Sequence, residues 1–192
     1  MRMIRLVIVS LLVIASFAIA GCAQPATPEA TPEVSKTDFA ITSSAFAEGA
    51  EIPVKYSCDG QNVSPPLDWN QVPAGTASFA LIMDDPDAGN YTHWVIFNLP
   101  PDARGLPEDV PKDEKLASGA LQGKIASGGI GYPIGYFGPC PFKGSSHRYR
   151  FTLYALDTSL DLAAGTSKEQ VLQAMEGHIL AQSQLIGIYQ RK

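Results

Sequence analysis

Glycine and proline recur along most of this chain and limit the regular elements it can form. The 192 residues include 17 Gly and 15 Pro. Proline lacks an amide donor and glycine favours turns, so their spread predicts many short strands joined by turns, in one domain without an internal repeat. The clearest strand candidates are Phe79–Met83, His93–Leu99 and His147–Leu156, and weaker ones are Phe39–Thr42, Ile52–Tyr56 and Leu121–Ala126.

One segment near the C-terminus has a helical pattern. It begins with Ser167-Lys168-Glu169-Gln170, which matches a capping box. Gly177 weakens the middle by about 1 kcal/mol relative to Ala, so a break into two helices stays open. The predicted fold class is mostly β, closed by a C-terminal helix. The stripe expected to face the sheet is Val171, Met175, His178, Gln182, Leu185 and Tyr189.

The first 21 residues have the pattern of a secretory signal peptide. Two Arg precede an apolar run from Leu6 to Ala20, and small residues then lead to Cys22. The sequence around Cys22, Ile-Ala-Gly-Cys, resembles a lipobox, in which the thiol takes a diacylglyceryl group before cleavage. The alternative is an uncleaved membrane helix, but the run is shorter than the ~20 apolar residues that such a helix needs.

Residues 22–37 are predicted to form a mobile tether. They combine three Pro with Ala, Thr, Gln and Glu, and almost no large apolar side chain is present. Residues 38–192 are long enough for one domain with a core. The sequence therefore predicts an exported protein, anchored by a lipid on Cys22 at a cell membrane or in the cell envelope, with its domain outside the cytoplasm.

The charge balance opposes one class of partner. The full chain has 14 Lys and Arg against 19 Asp and Glu, a net charge of −5. Removing residues 1–21 takes away two Arg and no acid, which leaves 12 − 19 = −7. An acidic surface argues against non-specific nucleic-acid binding, although one small basic pocket remains compatible with it.

Two cysteines remain once Cys22 is set aside. Cys58 and Cys140 lie in loops rich in Gly and Pro. An extracytoplasmic compartment permits the single intrachain disulfide that they can form, and two buried free thiols are the alternative. The sequence has no CxxC pair and no closely spaced His, so we expect no metal site and no cofactor.

Two predicted strands begin with a histidine. Side chains alternate between the faces of a strand, and both strands continue with apolar residues on the face of that histidine. Both imidazoles are therefore expected near one rim of the sheet, although each could instead only satisfy a loop carbonyl. The residues expected to face inward are His147, Tyr149, Phe151 and Leu153 on one strand, and His93, Val95, Phe97 and Leu99 on the other.

Two loops are candidates for a binding site. In the run Asp84–Gly89, Pro86 restricts Asp85 to an extended form, and the carboxylates can orient a His or accept from a ligand. A plain Asx-type turn is the alternative, and the spacing does not fit an EF-hand. The loop Gly135–Gly144 lets backbone N–H groups approach an anion, but it is not a P-loop, and a rigid connector fits its composition equally well.

The sequence does not indicate a catalytic nucleophile. Ser145 and Ser146 precede His147, but neighbours on a strand point to opposite faces, and no GxSxG turn is present. A hydrolase therefore has no positive support from the residues alone.

Several motifs taken together resemble one protein family, the phosphatidylethanolamine-binding proteins. The closest match is the bacterial and archaeal branch that is often labelled Raf kinase inhibitor-like, and the resemblance spans residue 38 to the C-terminus. The motifs are Cys58-Asp59-Gly60, Ser64-Pro65-Pro66-Leu67 with Trp69, Asp85-Pro86-Asp87-Ala88, His93-Trp94-Val95, Gly138 through Gly144, His147-Arg148-Tyr149, and the ending from Gly177 to Tyr189.

The resemblance implies a β-sandwich-like fold with a small pocket for phosphate-type groups, such as a phospholipid head group. It implies that His93 and His147 donate to anion oxygens, that Asp85 orients His93 or accepts from the ligand, and that Tyr149 lines the wall. Gly138 and the backbone at Cys140 would close the rim, which a Cys58–Cys140 bond would stiffen. The matching positions are Asp85, His93, Gly138, Cys140, His147, Tyr149 and Tyr189.

The chain departs from the family pattern at three loop positions. Gly89 stands where Pro is frequent, so a looser Asp loop is expected. Phe142 stands where a second Pro is usual, which predicts a bulkier rim, and Cys140 stands where animal members have Gly.

Three functions follow as hypotheses. The first is binding of a small anionic, phosphate-type ligand, which strengthens as pH falls because His titrates near neutrality. The second is inhibition of an envelope protease or another enzyme, through the rim around Phe142. The third is a hydrolase that uses the same pocket.

Overall fold

The computed structural model describes residues 38–125 and 134–192. The predicted signal peptide, Cys22 and the tether lie outside these ranges, as does Ala126. Within them, no helix is both long enough and apolar enough to cross a membrane.

The described part of the chain forms two antiparallel sheets and one α-helix. Two single-turn 3₁₀ helices, Val54–Tyr56 and Pro86–Ala88, lie between strands. The strands are β1 (Ala40–Thr42), β2 (Leu67–Asn70), β3 (Ser78–Asp85), β4 (Tyr91–Leu99), β5 (Gly105–Leu106), β6 (Leu121–Gln122), β7 (Ser146–Leu156) and β8 (Ile179–Gln190), and the helix is α1 (Lys168–Met175).

The sheets pack as a sandwich because β3, β4 and β7 carry apolar residues on both faces. The small sheet has the order β1-β2-β5, and the large one has the order β6-β4-β3-β7-β8. One core lies between the sheets and contains Phe79, Trp69 and Phe151. A second core lies on the other face of the large sheet, where Val171 and Met175 of α1 pack against it. The mostly β fold class is confirmed.

The three clearest strand predictions are confirmed as β3, β4 and β7, and the weaker Phe39–Thr42 is confirmed as β1. The prediction for Ile52–Tyr56 is wrong, because this segment turns into a 3₁₀ helix at Val54. In the predicted strand Leu121–Ala126, Leu121 and Gln122 form β6, and Lys124 forms an isolated bridge with Ile134.

The C-terminal helix is shorter than its pattern predicts. The capping box is confirmed, since the Ser167 side chain accepts from the Gln170 amide and the Gln170 side chain accepts from the Ser167 amide. The helix ends at Met175, and Gly177 adopts a left-handed φ of 80°. The predicted continuation to Tyr189 is wrong: Ile179–Gln190 is β8, which pairs with β7 along its length.

A bulge in β4 changes which residues share a face with His93. Met83 pairs with Trp94 and Asp84 pairs with Thr92, so His93 is the extra residue between them. The His93 ring contacts Tyr149 at the inner core, whereas Val95 and Phe97 belong to the outer core. The predicted common face of His93, Val95, Phe97 and Leu99 is therefore wrong, because two register shifts break the alternation and Leu99 also lies in the inner core.

Candidate functional site

The same end of three neighbouring strands carries the candidate site. Asp85 ends β3, His93 lies in the β4 bulge, and His147 and Tyr149 begin β7. Asp85 also builds the turn that follows it, since its Oδ1 accepts from the amides of Asp87 and Ala88 at 2.9 and 3.0 Å. The Asx-type turn left open by the sequence is thus present, and it leaves Oδ2 available for the site.

Asp85 holds His147. The Nδ1 atom of His147 lies 2.7 Å from Oδ2 of Asp85, and the carboxylate is buried whereas the imidazole is partly exposed. Because a carboxylate accepts, Nδ1 carries the hydrogen, which leaves Nε2 as the other hydrogen-bonding atom of the ring. The resemblance implied that Asp85 orients His93; in the structure its hydrogen bond goes to His147.

His93 is buried among three aromatic rings. Its Nδ1 lies 2.8 Å from the carbonyl oxygen of Phe137, which can only accept, so Nδ1 donates. Its ring stacks on Phe137 with centroids 5.7 Å apart and meets the edges of Tyr91 and Tyr149 at 5.0 and 5.1 Å. Burial lowers the pKa of His93, and the Phe137 carbonyl and the Asp85 charge oppose this only in part. The imidazole is therefore held neutral in the free protein.

Tyr149 carries a polar atom that the fold does not satisfy. The side chain is fully buried, and its hydroxyl has no hydrogen-bond partner in the described structure. The Asp85 carboxylate and the Cys140 backbone lie near enough to act on its pKa but do not form a hydrogen bond of normal geometry. Burial raises the pKa of Tyr149, so the hydroxyl remains a donor at neutral pH. A buried donor without an acceptor lowers stability, so this hydroxyl is a candidate for contact with a ligand.

The rim of the site is made from two loops joined by a disulfide. Cys58 and Cys140 are bonded, with Cα atoms 5.4 Å apart, and the Cys58 amide donates to the Pro139 carbonyl. Gly138 packs so closely that a Cβ there would lie 2.1 Å from the Tyr56 carbonyl oxygen. Its amide donates to Oδ1 of Asn62 at 2.7 Å, so this N–H is already used inside the protein.

Tyr189 lies next to the site, where its hydroxyl binds one of the two rim loops. It pairs with His147 across the two last strands. Its hydroxyl contacts the Ser57 hydroxyl at 2.8 Å and donates to Oδ2 of Asp59 at 2.9 Å. Tyr189 therefore fastens the loop that contains Cys58 to β8.

Sequence reasoning missed three residues that shape the site. Tyr91 and Phe137 pack against His93, and Asn62 holds the Gly138 backbone. Tyr91 could have been noticed, because it precedes His93 by two positions on a strand. The role of Asn62 depends on a contact across 76 residues of sequence, for which no local pattern exists.

Most of this sequence matches the model of one protein family. The model of the phosphatidylethanolamine-binding proteins matches residues 42–190, which include every candidate site residue described above. The chain belongs to the phosphatidylethanolamine-binding protein family. Its mostly β architecture agrees with that family.

Individual relatives and solved structures agree with the family. A UPF0098 protein of Methanothermobacter thermautotrophicus is 56% identical over 149 residues, which cover 77% of this chain and 95% of the relative. A Mycobacterium tuberculosis relative, named LppC as a candidate lipoprotein, is 39% identical over 168 residues, covering 83% of this chain and 76% of the relative.

Two crystal structures are similar to the fold of the domain. CT736 of Chlamydia trachomatis, described as a homologue of phosphatidylethanolamine-binding proteins, is 40% identical with a TM-score of 0.72 and covers 81% of this chain and 99% of its own. YbcL of Escherichia coli, described as a member of the mammalian family, is 30% identical with a TM-score of 0.72 and covers 80% of this chain and 99% of its own. A domain of this extent is therefore a complete folded chain in these relatives.

The three departures from the family pattern have clear structural settings. Gly89 adopts a left-handed φ of 66° directly after the Asp85 turn, a conformation that Pro cannot adopt. Cys140 forms the rim disulfide, and Phe142 is 86% exposed two residues later. The expectation of a bulkier rim fits this exposure.

The described structure also contains an apolar cavity away from the candidate site, and it shows no cluster of metal ligands. An apolar cavity of about 460 Å³ is lined by Leu99, Leu106, Val110 and Leu116. Leu99 ends β4 whereas His93 lies near its start, so this cavity is at the opposite end of the strand. Among residues 38–125 and 134–192, no group of three or more His, Cys, Asp or Glu could hold a metal ion.

Proposed function

We propose that this member of the phosphatidylethanolamine-binding protein family binds a small phosphate-type anion with His93, His147 and Tyr149. The observation that carries the proposal is the buried Tyr149 hydroxyl, a neutral donor with no acceptor in the described fold. An anion oxygen within hydrogen-bonding distance of this hydroxyl would supply the missing acceptor. Asp85 and the Phe137 carbonyl hold the Nδ1 atoms of the two histidines and fix the rings for a ligand.

Anion binding at these rings requires an added proton. With both Nδ1 atoms donating inside the protein, Nε2 of a neutral ring can only accept. A bound anion must therefore bring its own proton, as a P–OH group does, or the ring must take one from solvent. Burial lowers the pKa of His93 in the free protein, and a bound anion raises it again. Between those two pKa values binding takes up a proton, so affinity rises as pH falls.

The test is a calorimetric titration of residues 38–192 with inorganic phosphate, O-phosphoethanolamine and acetate, at about pH 5.5 and about pH 7.5. We expect saturable binding of phosphate and O-phosphoethanolamine that weakens at the higher pH and is lost in His147→Gln, with acetate as the comparison. Tyr149→Phe removes only the unsatisfied hydroxyl, so we expect affinity to fall about tenfold without loss of stability.

Tyr136→Phe is the matched control. It also removes one buried hydroxyl, but that hydroxyl donates to the Tyr56 carbonyl at 2.8 Å. We expect it to lower the free energy of unfolding by about 1 kcal/mol and to leave affinity unchanged. Absence of binding for both phosphate and O-phosphoethanolamine at both pH values, or equal affinity for them in Tyr149→Phe and the unmodified domain, would contradict the proposal.

We also propose that the chain is exported and lipid-anchored through Cys22. The lipobox-like sequence and the relative named as a candidate lipoprotein support this location. The experiment is labelling of cells that express the full chain with radioactive palmitate, followed by membrane fractionation. We expect label and membrane association in the unmodified chain and neither in Cys22→Ser. Label that persists in Cys22→Ser would rule out this anchor.

Inhibition of an envelope enzyme is a second candidate, and Phe142 favours it. This ring is 86% exposed on a loop held by the disulfide, and exposed aromatic anchors on rigid loops suit insertion into a partner's pocket. Protease activity of an envelope extract should fall when the domain is added and should not fall with Phe142→Ser. Equal inhibition by both, or none by either, would count against this function.

A further inference from the structure

A polar cavity lies on the opposite face of the large sheet from His93 and His147. It has a volume of about 340 Å³ and is bounded by β3, β7, β8 and α1. Asp84 and Arg150 point to this face because their neighbours, Asp85 and Tyr149, point to the other one. The sheet therefore separates this cavity from His93 and His147.

Two cations share one carboxylate at this cavity. Arg150 binds Asp84 through Nε and Nη2 at 3.0 and 2.9 Å, and Lys168 Nζ lies 3.4 Å from Oδ2 of the same carboxylate. Asn90 accepts from both cations, through its side chain and its backbone carbonyl. Lys168 and Asp84 are largely buried, with side chains 12% and 10% exposed. Arg150, with its side chain 31% exposed, and the more buried Lys168 therefore carry one positive charge more than Asp84.

The charges around the cavity do not cancel this excess. Arg148 lies two residues before Arg150 on β7 and forms an ion pair with Asp87, with 2.6 Å between its Nη2 and Oδ1 of Asp87. The Glu169 carboxylate is held at the start of α1 by its own backbone amide and the Ser167 side chain, and it interacts with Lys168 and, less strongly, with Lys124. The Arg148–Asp87 pair is neutral, and counting Arg150, Lys168 and Lys124 against Asp84 and Glu169 still leaves one positive charge in excess.

The cavity also offers donors that the protein leaves unused. Within the described residues, Nη1 of Arg150 donates to no acceptor, and the Gln184 amide makes no side-chain hydrogen bond. The Ile82 and Leu172 side chains and the Tyr154 ring add apolar wall. A partly buried excess charge is stabilised by an anion that can share its donors.

We propose that this cavity binds a small monocarboxylate, whose carboxylate lies between Arg150 and Lys168 and whose short apolar part lies against Leu172. One excess charge suits a monoanion better than a phosphate dianion, and the apolar wall suits a hydrocarbon stem. The site is independent of the anion site at His147.

The test is an NMR titration of residues 38–192 with sodium butyrate, up to about 50 mM, with inorganic phosphate as the comparison. We expect butyrate to shift the Arg150 Nε–H signal and the amides of α1 with saturation. Lys168→Gln should weaken butyrate binding about tenfold. His147→Gln, in the other site, and Lys115→Gln, an exposed lysine on a distant loop, should leave it unchanged.

A second variant tests the excess charge without a ligand. Gln184→Glu adds a carboxylate of the same shape to the cavity wall, so it should abolish butyrate binding and raise Tm by about 2–5 °C. Gln182→Glu adds the same charge two residues earlier on β8 and should change neither. Shifts confined to the His147 end, unchanged butyrate affinity in Lys168→Gln, or a lower Tm in Gln184→Glu would each overturn the proposal.

Discussion

The two oxygens of Asp85 act on different parts of the molecule. Oδ2 accepts from Nδ1 of His147 at 2.7 Å, and Oδ1 caps the 3₁₀ helix that follows β3. One buried carboxylate thus joins the orientation of an imidazole on β7 to the shape of the turn after β3. This double role makes a selective substitution possible.

Asp85→Asn should change the histidine and spare the turn. The Asn oxygen can keep the cap, but its amide would face the Nδ1–H of His147 donor to donor, which forces the ring into the other tautomer. We expect the ¹⁵N shifts of His147 to report that exchange, a loss of about 1–2 kcal/mol in unfolding free energy and about tenfold weaker phosphate binding. Asp85→Ala should cost about 1 kcal/mol more, because it also removes the cap. An unchanged His147 spectrum in Asp85→Asn would contradict the assignment.

The disulfide should contribute strongly to stability. It joins residues 82 apart in sequence, and closing a loop of that length in the unfolded chain is worth about 4 kcal/mol. We expect the Cys58→Ser, Cys140→Ser double variant to lose about that much in urea unfolding of residues 38–192. The reduced form of the unmodified domain should match the double variant, and a difference larger than about 1 kcal/mol would show that the serines act in another way.

Gly138→Ala should affect both stability and the site. The added Cβ would lie 2.1 Å from a backbone oxygen, so the two rim loops must move apart. We expect a loss of about 1–3 kcal/mol and weaker phosphate binding, because Phe137, whose carbonyl holds His93, moves with the loop. Gly144→Ala is the control in the same loop, with a left-handed φ of 83° and no atom near the added Cβ. It should cost about 1 kcal/mol through backbone strain and leave binding unchanged.

Asp87 should make stability depend on pH in the acid range. Hydrogen bonds from the Arg148 side chain and backbone lower the pKa of Asp87 to about 2. A carboxyl group whose pKa is lowered by folding stabilises the protein above its unfolded pKa, near 4, and this contribution is lost as pH falls towards 2. The effect should be small, because solvent screens the exposed Arg148. Urea midpoints between about pH 5 and about pH 2 should fall less steeply in Asp87→Asn, and equal slopes would contradict this role.

Local sequence patterns were sufficient for much of the large sheet. Phe79–Met83 and His147–Leu156 are apolar and bounded by turns, and they form β3 and β7. The inward face of Tyr149, Phe151 and Leu153 followed from alternation alone and is confirmed. These elements were predictable because period-two burial is a property of a single strand.

The helix predicted to continue to Tyr189 is a strand from Ile179 onwards, and the cause of this error is identifiable. Leu185 and Tyr189 fit a spacing of four, but Leu185, Gly187 and Tyr189 also fit the spacing of two that the structure shows. Gly187 faces Ile52 and Phe46 so closely that a Cβ would lie 2.4 Å from the Ile52 side chain. A helical pattern cannot reveal that β7 has an edge that needs a partner.

By itself, the sequence determined the mostly β class, the strands β3, β4 and β7, and the start of α1. The tertiary structure alone decided that His93 turns inward through a bulge, that Asp85 holds His147, and that Tyr149 keeps a hydroxyl without an acceptor. Alternation, caps and turns depend on neighbours in the chain. Hydrogen-bond and disulfide partners depend on distant segments, such as Phe137, 44 residues from His93, and Cys140, 82 residues from Cys58.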